Sequence, residues 1–308
     1  MRHLLIAIPA ALLLASCGNN SDLPQMVGAV SNDTSRADSL FNAAQDAEQR
    51  GKTKKAIDLY DELATDIPLS PKAGEARYRQ GQLLEQSGEA LKAFEAYQDL
   101  LTTKQGSGYY KKALDRQTEI AFSAADGEIK NSFLGLKSGL STEKVVGMLN
   151  SLAKNAPRSP LAARASFKIG EIYADQGEPG KAISAYRSVV VKYPSSSQAP
   201  EAQFRVGEIL LEEAKEGNQD QANLSRAKEA FEDYLSQFPG HSRNGEARQL
   251  ISNIGGRDVQ NTYDIAEFYE KKGNISSAKF YYQEVVRRTK SGDLHDKAQG
   301  RLNALNGN

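Results

Sequence analysis

A short signature recurs along this chain, and it constrains the fold more than any other feature of the sequence. The stretches "IPLSPKAGEA", "APRSPLAARA" and "YPSSSQAPEA" share a proline, a serine two residues later, and alanines five and eight residues after the proline. Proline ends a helix because it lacks the N–H donor and clashes with the preceding turn, whereas serine caps the start of the next helix. A degenerate copy, "FPGHSRNGEA", follows later. Each copy therefore predicts a joint between two helices, with alanines on a face that another helix can approach closely.

The segment between two joints has the pattern of a helical repeat. Residues 161–194 contain two amphipathic stretches separated by a polar turn, with small and aromatic residues at the spacing of a tetratricopeptide repeat. These residues are Ile169, Gly170, Tyr173, Gly177, Ala182, Tyr186, Val189 and Pro194. Similar spacings recur in the other segments. The sequence therefore predicts an all-α fold, a tetratricopeptide-repeat right-handed superhelical solenoid of about six helix pairs plus a C-terminal capping helix.

The repeat spacing also divides the chain into regions. Residues 36–125 contain the N-terminal repeats, and residues 142–308 contain the C-terminal repeats and the capping helix. Between them, residues 126–141 form an irregular insertion inside the third helix pair. A linker, a partner-binding loop and a decayed helix are open alternatives for this insertion. No strand is predicted in the chain.

The N-terminus predicts export and a lipid anchor. "MRHLLIAIPAALLLASC" has a basic residue, an apolar run too short to span a membrane, and small residues before a cysteine, so residues 1–16 are predicted to be a signal peptide. Leu14, Ala15, Ser16 and Cys17 resemble the lipobox of bacterial lipoproteins, which implies cleavage before Cys17 and acylation of that cysteine. An ordinary signal peptide followed by an unmodified cysteine is the alternative. Residues 17–35 are predicted to form the lipidated end and a flexible polar tether.

The remaining composition gives little support to catalysis. A formal net charge of zero and the lack of a basic stripe argue against nucleic acid as the main partner. The chain has three histidines and one cysteine, too few and too scattered for the usual metal sites. We therefore predict a protein that is not an enzyme and that needs no cofactor or metal. A cell-wall hydrolase using Glu212 or Glu213 as an acid or base is the enzyme alternative.

The phase of the repeat indicates a binding groove. In tetratricopeptide arrays the first helix of each pair lines a concave groove, which places five aromatic residues at its edge and polar residues one turn further along. The aromatic residues are Phe41, Tyr78, Phe167, Phe204 and Tyr263, and the polar residues are Gln45, Gln82, Glu171, Glu208 and Glu267. This predicts a groove for an extended or helical peptide, with an acidic wall that favours basic segments. Alternatively, the aromatic residues only pack the repeats, and glutamate is simply a good helix former.

Several of these features together resemble the BamD family, the tetratricopeptide lipoproteins of the outer-membrane β-barrel assembly machinery. They are the lipobox, the joints, the polar insertion "GNQDQANLSRAKEAFEDYLSQFPG" and the late segment "YDIAEFYEKKGNISSAKFYYQEVV". The resemblance covers residues 38–305. In the family the helix before the sixth pair would be long, whereas Gly255 and Gly256 predict a break here.

This resemblance implies a scaffold in the periplasm, tethered by lipid to the outer membrane, and Gly18 in place of aspartate after Cys17 favours that membrane. Its C-terminal repeats would dock onto a barrel-insertion protein with periplasmic domains, and its N-terminal repeats would engage unfolded barrel clients. A tetratricopeptide lipoprotein that coordinates cell division, cell-wall synthesis or polysaccharide export would share the anchor and the repeats, and it is the alternative function.

Overall fold

The computed structural model describes residues 26–133, 136–216 and 221–307. Over these ranges the chain forms thirteen helices and one antiparallel pair of strands. The helices are α1 (Met26–Gln49), α2 (Thr53–Asp66), α3 (Ala73–Gln86), α4 (Ala90–Thr103), α5 (Tyr110–Ala125), α6 (Thr142–Asn155), α7 (Pro160–Asp175), α8 (Pro179–Lys192), α9 (Gln198–Glu216), α10 (Gln221–Gln237), α11 (Asn244–Lys271), α12 (Ile275–Arg288) and α13 (Asp293–Asn306). The strands are β1 (Lys130–Phe133) and β2 (Leu136–Gly139).

The order of the elements confirms the predicted fold class. Twelve of the described helices follow one another in the order expected for six helix pairs, and α13 packs on α12 as the capping helix. The fold is an all-α tetratricopeptide-repeat solenoid. The one β element lies in the predicted insertion at 126–141, where Lys130 pairs with Gly139 and Phe133 with Leu136. A short hairpin therefore connects α5 and α6, which corrects the expectation of a chain without strands.

The chain comprises two compact units, residues 1–87 and residues 88–308. In the first unit, α1, α2 and α3 enclose a core centred on Tyr60 and Leu63, which are fully buried. In the second unit each helix from α5 to α12 packs against the next one along the chain. One of its cores is built from α8 to α11 around Phe204, Phe231 and Tyr234. A further core joins α11 to α12 and α13.

Close helix contacts within a pair depend on glycine. A Cβ atom added at Gly170 in α7 would lie 2.5 Å from the ring of Tyr186 in α8, and one added at Gly207 in α9 would lie 2.6 Å from the ring of Phe231 in α10. Carbon atoms in proteins do not approach this closely, so only glycine permits the observed helix spacing. A buried tyrosine occupies the second helix of five pairs: Tyr60, Tyr97, Tyr186, Tyr234 and Tyr282.

The joints between pairs match the predicted signature in part. Ser159 caps α7 by accepting a hydrogen bond from the N–H of Leu161, with Pro160 at the start of the helix. Ser70 instead accepts from the N–H of Lys72 in the turn before α3. The Ser196 hydroxyl has no hydrogen-bond partner among the described residues, so the predicted cap is not formed there. The paired alanines of all three joints are fully buried, as expected.

Two helix boundaries differ from the sequence prediction. Helix α1 begins at Met26, so the C-terminal part of the predicted tether at 17–35 is helical. Helix α11 runs unbroken through Gly255 and Gly256, which corrects the predicted break. The helix continues because residues on both sides of the glycines are held in packed cores: Ile254 joins the core of α8 to α10, and Val259 joins the core of α12 and α13.

We expect substitution by alanine to have opposite effects on the free energy of unfolding at Gly207 and at Gly255. Gly207→Ala forces a methyl group against the buried Phe231 ring and should lower the free energy of unfolding by about 1–3 kcal/mol. Gly255→Ala meets no atom within 4 Å and should raise it by about 0.5–1 kcal/mol, because glycine weakens a helix interior. Urea unfolding followed by circular dichroism measures both. Equal stability of Gly207→Ala and the wild type would contradict the packing argument.

Candidate functional site

The first helices of the last three pairs line a groove in the second unit. Helices α7, α9 and α11, with one side chain from α8, enclose an open hollow of about 620 Å³. Its walls are mainly charged and its floor is partly apolar. The lining residues are Lys168, Glu171, Ala174, Asp175, Tyr186, Arg205, Glu208, Ile209, Leu211, Glu212, Lys215, Glu246 and Leu250.

A neighbouring hollow extends this groove toward α5. It has a volume of about 470 Å³, and it lies between the end of α5, the first half of α7 and the start of α9. Lys168 and Glu171 line both hollows, so the two form one continuous surface. We call the two hollows together, with all the residues that line either of them, the C-terminal groove. Its shape suits an extended or helical segment of another protein rather than a small molecule.

Basic side chains compensate the carboxylates of the groove. The Lys168 ammonium lies 2.8 Å from the Asp126 carboxylate and 3.5 Å from that of Glu171. Its pKa is raised above the ordinary value, chiefly by the hydrogen bond to Asp126. Arg205 lies 3.1 Å from Glu201 and 3.2 Å from Glu208. Charges of both signs therefore alternate along the groove.

Arg243 joins α9 to α11 at the edge of the groove. Its guanidinium donates to Glu201 at 2.9 Å, to Glu208 at 2.7 Å and to Glu246 at 2.8 Å, and it stacks 3.4 Å from the centre of the Phe204 ring. The pKa of Arg243 is raised, first by the hydrogen bond to Glu246 and then by Glu208. Its planar donors suit several carboxylates at once, so one side chain fixes the spacing of the two groove helices.

The predicted aromatic anchors are mostly inside the protein. Phe41 and Phe204 are 4% and 0% exposed, and Tyr78 and Tyr263 are also buried. Phe41 packs edge-on against Tyr60 of α2, and Tyr263 packs in the same way against Tyr282 of α12. These four rings fill the space between helices and are not accessible as anchors, so packing accounts for them. Phe167, which contacts the Tyr186 ring, is half-buried and lines the groove.

The predicted glutamates are solvent-accessible but paired. Glu171 and Glu208 meet in the same hollow, whereas Glu267 is not among its lining residues. Glu171 pairs with Lys168, Glu208 pairs with Arg205 and Arg243, and Glu267 lies 3.8 Å from Lys271. Each of these carboxylates has a basic neighbour that the prediction from the repeat spacing did not include. The predicted acidic surface is therefore made of ion pairs.

Sequence reasoning missed the basic side chains that complete the groove. Arg243 occupies the degenerate joint, where the signature serine is replaced by His241. This replacement of the serine was the signal in the sequence that could have indicated a different contact at this joint. A joint without its capping residue can form another contact. Lys168 and Arg205 each lie three residues before a predicted glutamate, the spacing of neighbours on a helix surface.

The predicted signal peptide (1–16), the lipobox residues Leu14, Ala15 and Ser16, and Cys17 all lie outside the described residues. Across the ranges that the structure describes, no helix is both long and apolar enough to span a membrane. In those same ranges no group of three or more His, Cys, Asp or Glu side chains is placed to hold a metal ion.

Comparison with known proteins gives two family matches. A family of outer membrane lipoproteins, YfiO, matches residues 137–298, which include the groove helices α7, α9 and α11 but not the end of α5. A tetratricopeptide-repeat family matches residues 35–110. No curated protein matches the sequence.

Several solved structures are similar to the chain at low sequence identity. PilF of Pseudomonas aeruginosa is 12% identical with a TM-score of 0.30, covering 88% of this chain and 99% of PilF. A tetratricopeptide protein from Parabacteroides merdae is 14% identical with a TM-score of 0.30, covering 89% of this chain and all of its own. YrrB, described as having an unusual peptide-binding site, is 15% identical with a TM-score of 0.30, covering 77% of this chain and 96% of YrrB.

Replacing Arg243 should reveal how much the groove depends on it. Arg243→Met keeps an apolar contact with Phe204 but leaves three carboxylates close together, so we expect the free energy of unfolding to fall by about 1–3 kcal/mol. The matched control is Arg287→Met, which removes an exposed pair with Glu284 and should cause no measurable change. Urea unfolding compares the two variants. If both behave alike, the groove does not depend on Arg243.

The contribution of this cluster should depend on pH. The Arg243 hydrogen bond lowers the pKa of Glu246 below its ordinary value of 4.5. A carboxylate with a lowered folded-state pKa stabilises the fold above its unfolded pKa, and this contribution is lost as the pH falls through the folded value. We therefore expect the stability difference between wild type and Arg243→Met to be largest near neutral pH and to shrink below pH 4.5. Urea unfolding at a series of pH values tests this, and a difference that grows on acidification would contradict it.

Proposed function

Because the chain belongs to the YfiO family of outer membrane lipoproteins, we propose that it is a lipid-anchored periplasmic scaffold for the assembly of β-barrel proteins in the outer membrane. The family match confirms the resemblance of the sequence to BamD proteins. The tetratricopeptide architecture makes the chain a protein-binding scaffold. The role in barrel assembly is the proposal.

The observation that carries this proposal is the C-terminal groove. It lies entirely within the second unit, and its helices α7, α9 and α11 fall in the segment that matches the family. Its ion-paired walls and partly apolar floor suit a protein segment that carries both charges and apolar side chains. We propose that a barrel-insertion protein with periplasmic domains is bound here, and that unfolded barrel clients contact the N-terminal repeats.

The proposed anchor follows from the N-terminal sequence. Residues 1–16 are removed as a signal peptide, Cys17 carries the acyl chains, and the segment that begins there connects the anchor to α1. Several acyl chains are needed for firm attachment, since each buried methylene contributes about 0.8 kcal/mol. The family description as outer membrane lipoproteins supports this assignment. The regions at 36–125, 126–141 and 142–308 then act as the N-terminal repeats, an insertion and the C-terminal repeats.

Site-specific photo-crosslinking in living cells tests the proposal. A benzoylphenylalanine placed at Glu212, a groove residue whose side chain is 61% exposed, should crosslink to the bound partner. The matched control places the same group at Glu229, an exposed residue of α10, the second helix of its pair. Mass spectrometry identifies the crosslinked proteins.

The identity of the crosslinked protein decides between the alternatives. Capture of an outer-membrane barrel protein with periplasmic domains at the groove, and not at the control, supports the proposal. Capture of division, cell-wall or polysaccharide-export proteins would keep the scaffold and reject the role in barrel assembly. No crosslink above the control would reject the groove as the binding surface.

A further inference from the structure

The sixth helix pair exposes an unusual amount of apolar surface. Six large apolar side chains are exposed among the described residues, and four of them lie in or beside this pair. Two are rings: Phe268 is 55% exposed and Phe280 is 62% exposed. The other two are Ile265 and Ile275. Exposed apolar side chains that occur singly need no explanation, but a concentration of this kind marks a contact surface.

The exposed rings form one connected surface. Phe268 of α11 contacts Tyr269 with ring centres 5.6 Å apart, Tyr269 stacks on Tyr281 of α12 at 5.5 Å, and Tyr281 contacts Phe280 at 5.2 Å. Together with Ile265 these residues make up what we call the aromatic face. All of them except Phe280 line a shallow hollow of about 650 Å³. The core residues of the same helices, such as Ala266 and Tyr282, are fully buried on the opposite side.

Two lysines, both unpaired among the described residues, lie next to the aromatic face. The Lys272 ammonium lies 5.7 Å from the centre of the Phe268 ring. Lys279, next to Phe280 in α12, is half-buried, and neither lysine has an ion-pair partner among the described residues. Lys271 is paired with Glu267, and Asp264 is the one carboxylate among the described residues that line the hollow, where it accepts a hydrogen bond from Gln260. The rim of the aromatic face is therefore positive on balance.

We propose that the aromatic face rests on the surface of a phospholipid bilayer with anionic headgroups. Phenylalanine and tyrosine rings favour the boundary between headgroups and acyl chains, and lysine side chains reach from there to the headgroups. Lys272 and Lys279 match the negative charge of such a surface. The face lies on the outside of α11 and α12 and not in the C-terminal groove, so it is free while the groove holds a partner.

Because of the proposed lipid anchor, a small aromatic face is sufficient for contact with the bilayer. A tethered body stays close to the bilayer, so a second contact forms at a high effective concentration and needs little affinity of its own. An interfacial contact of this kind buries apolar side chains about 5–10 Å into the boundary region. The inference uses the anchor only for this proximity and does not depend on which protein binds the groove.

Spin labels at the aromatic face test the proposal. Cys17 is the only cysteine in the chain, and its thiol is consumed when it is acylated, so an added cysteine provides a unique labelling site. Phe280→Cys places the label on the aromatic face, and Val191→Cys, which is 78% exposed in α8, is the control. The full lipidated protein is reconstituted in vesicles of phosphatidylethanolamine and phosphatidylglycerol. Mass spectrometry verifies one label per chain, and circular dichroism verifies folding.

Collision with oxygen and with a water-soluble nickel chelate distinguishes the outcomes. We expect oxygen to collide more often than nickel at residue 280 and less often at residue 191, so the depth parameter changes sign between the two sites. Omitting phosphatidylglycerol, or combining Lys272→Glu with Lys279→Glu, should shift residue 280 toward water.

Two results would overturn the proposal. Nickel collisions that dominate at residue 280, as they do at residue 191, would mean that the face points into water. Few collisions with either reagent would mean that protein, here a second copy of the chain, covers the face. Neither result bears on crosslinking at Glu212, so the groove and the aromatic face are tested separately.

Discussion

The arrangement of this protein depends on how closely the two helices of a pair can approach. In the fourth and fifth pairs the approach is set by a glycine on the first helix and an aromatic ring on the second: Gly170 faces Tyr186, and Gly207 faces Phe231. The ring then occupies the volume that a side chain on the first helix would need. Because the first helices also line the C-terminal groove, the same contact that holds a pair together also positions the residues that line the groove.

Ion pairs between neighbouring side chains are the main feature of the C-terminal groove. Arg243 and Arg205 bind Glu201 and Glu208 on α9, and Lys168 lies between Asp126 and Glu171. A bound segment must join this arrangement or replace parts of it, since most carboxylates of the groove already have a basic partner. Such a surface discriminates by the order of charges along the segment more than by its net charge, because a misplaced charge meets a like charge at short range.

The sequence was informative where local rules decide the structure, and less so where distant contacts decide it. Helix pairs, their order and the capping helix follow from periodicity and from the proline joints, and they were predicted correctly. The hairpin at 130–139 was not predicted because it lacks the alternating apolar pattern of a strand. For the groove, the repeat phase predicted that Glu171 and Glu208 face it, and both line the same hollow. The repeat phase could not distinguish a ring that lies at the groove edge from a ring that packs between helices. Phe204 and Tyr263 were therefore assigned to the surface although they are buried. Arg243 was missed because two of its three carboxylate partners, Glu201 and Glu208, lie on a different helix.

Helix α11 has a consequence for how repeats can be exchanged. Repeat proteins are usually regarded as strings of cassettes, each bounded by a loop where recombination or truncation does little harm. Here Asn244–Lys271 is a single helix whose first half is packed with Ile254 in one core and whose second half is packed with Val259 in the next. A cut in the loop between α10 and α11, which separates the fifth and sixth pairs, would remove Ile254 from the core that it shares with α8 to α10. A cut inside α11 would divide the helix itself. The sixth pair is therefore not an independent module, because the first half of α11 belongs to the core of the preceding pairs.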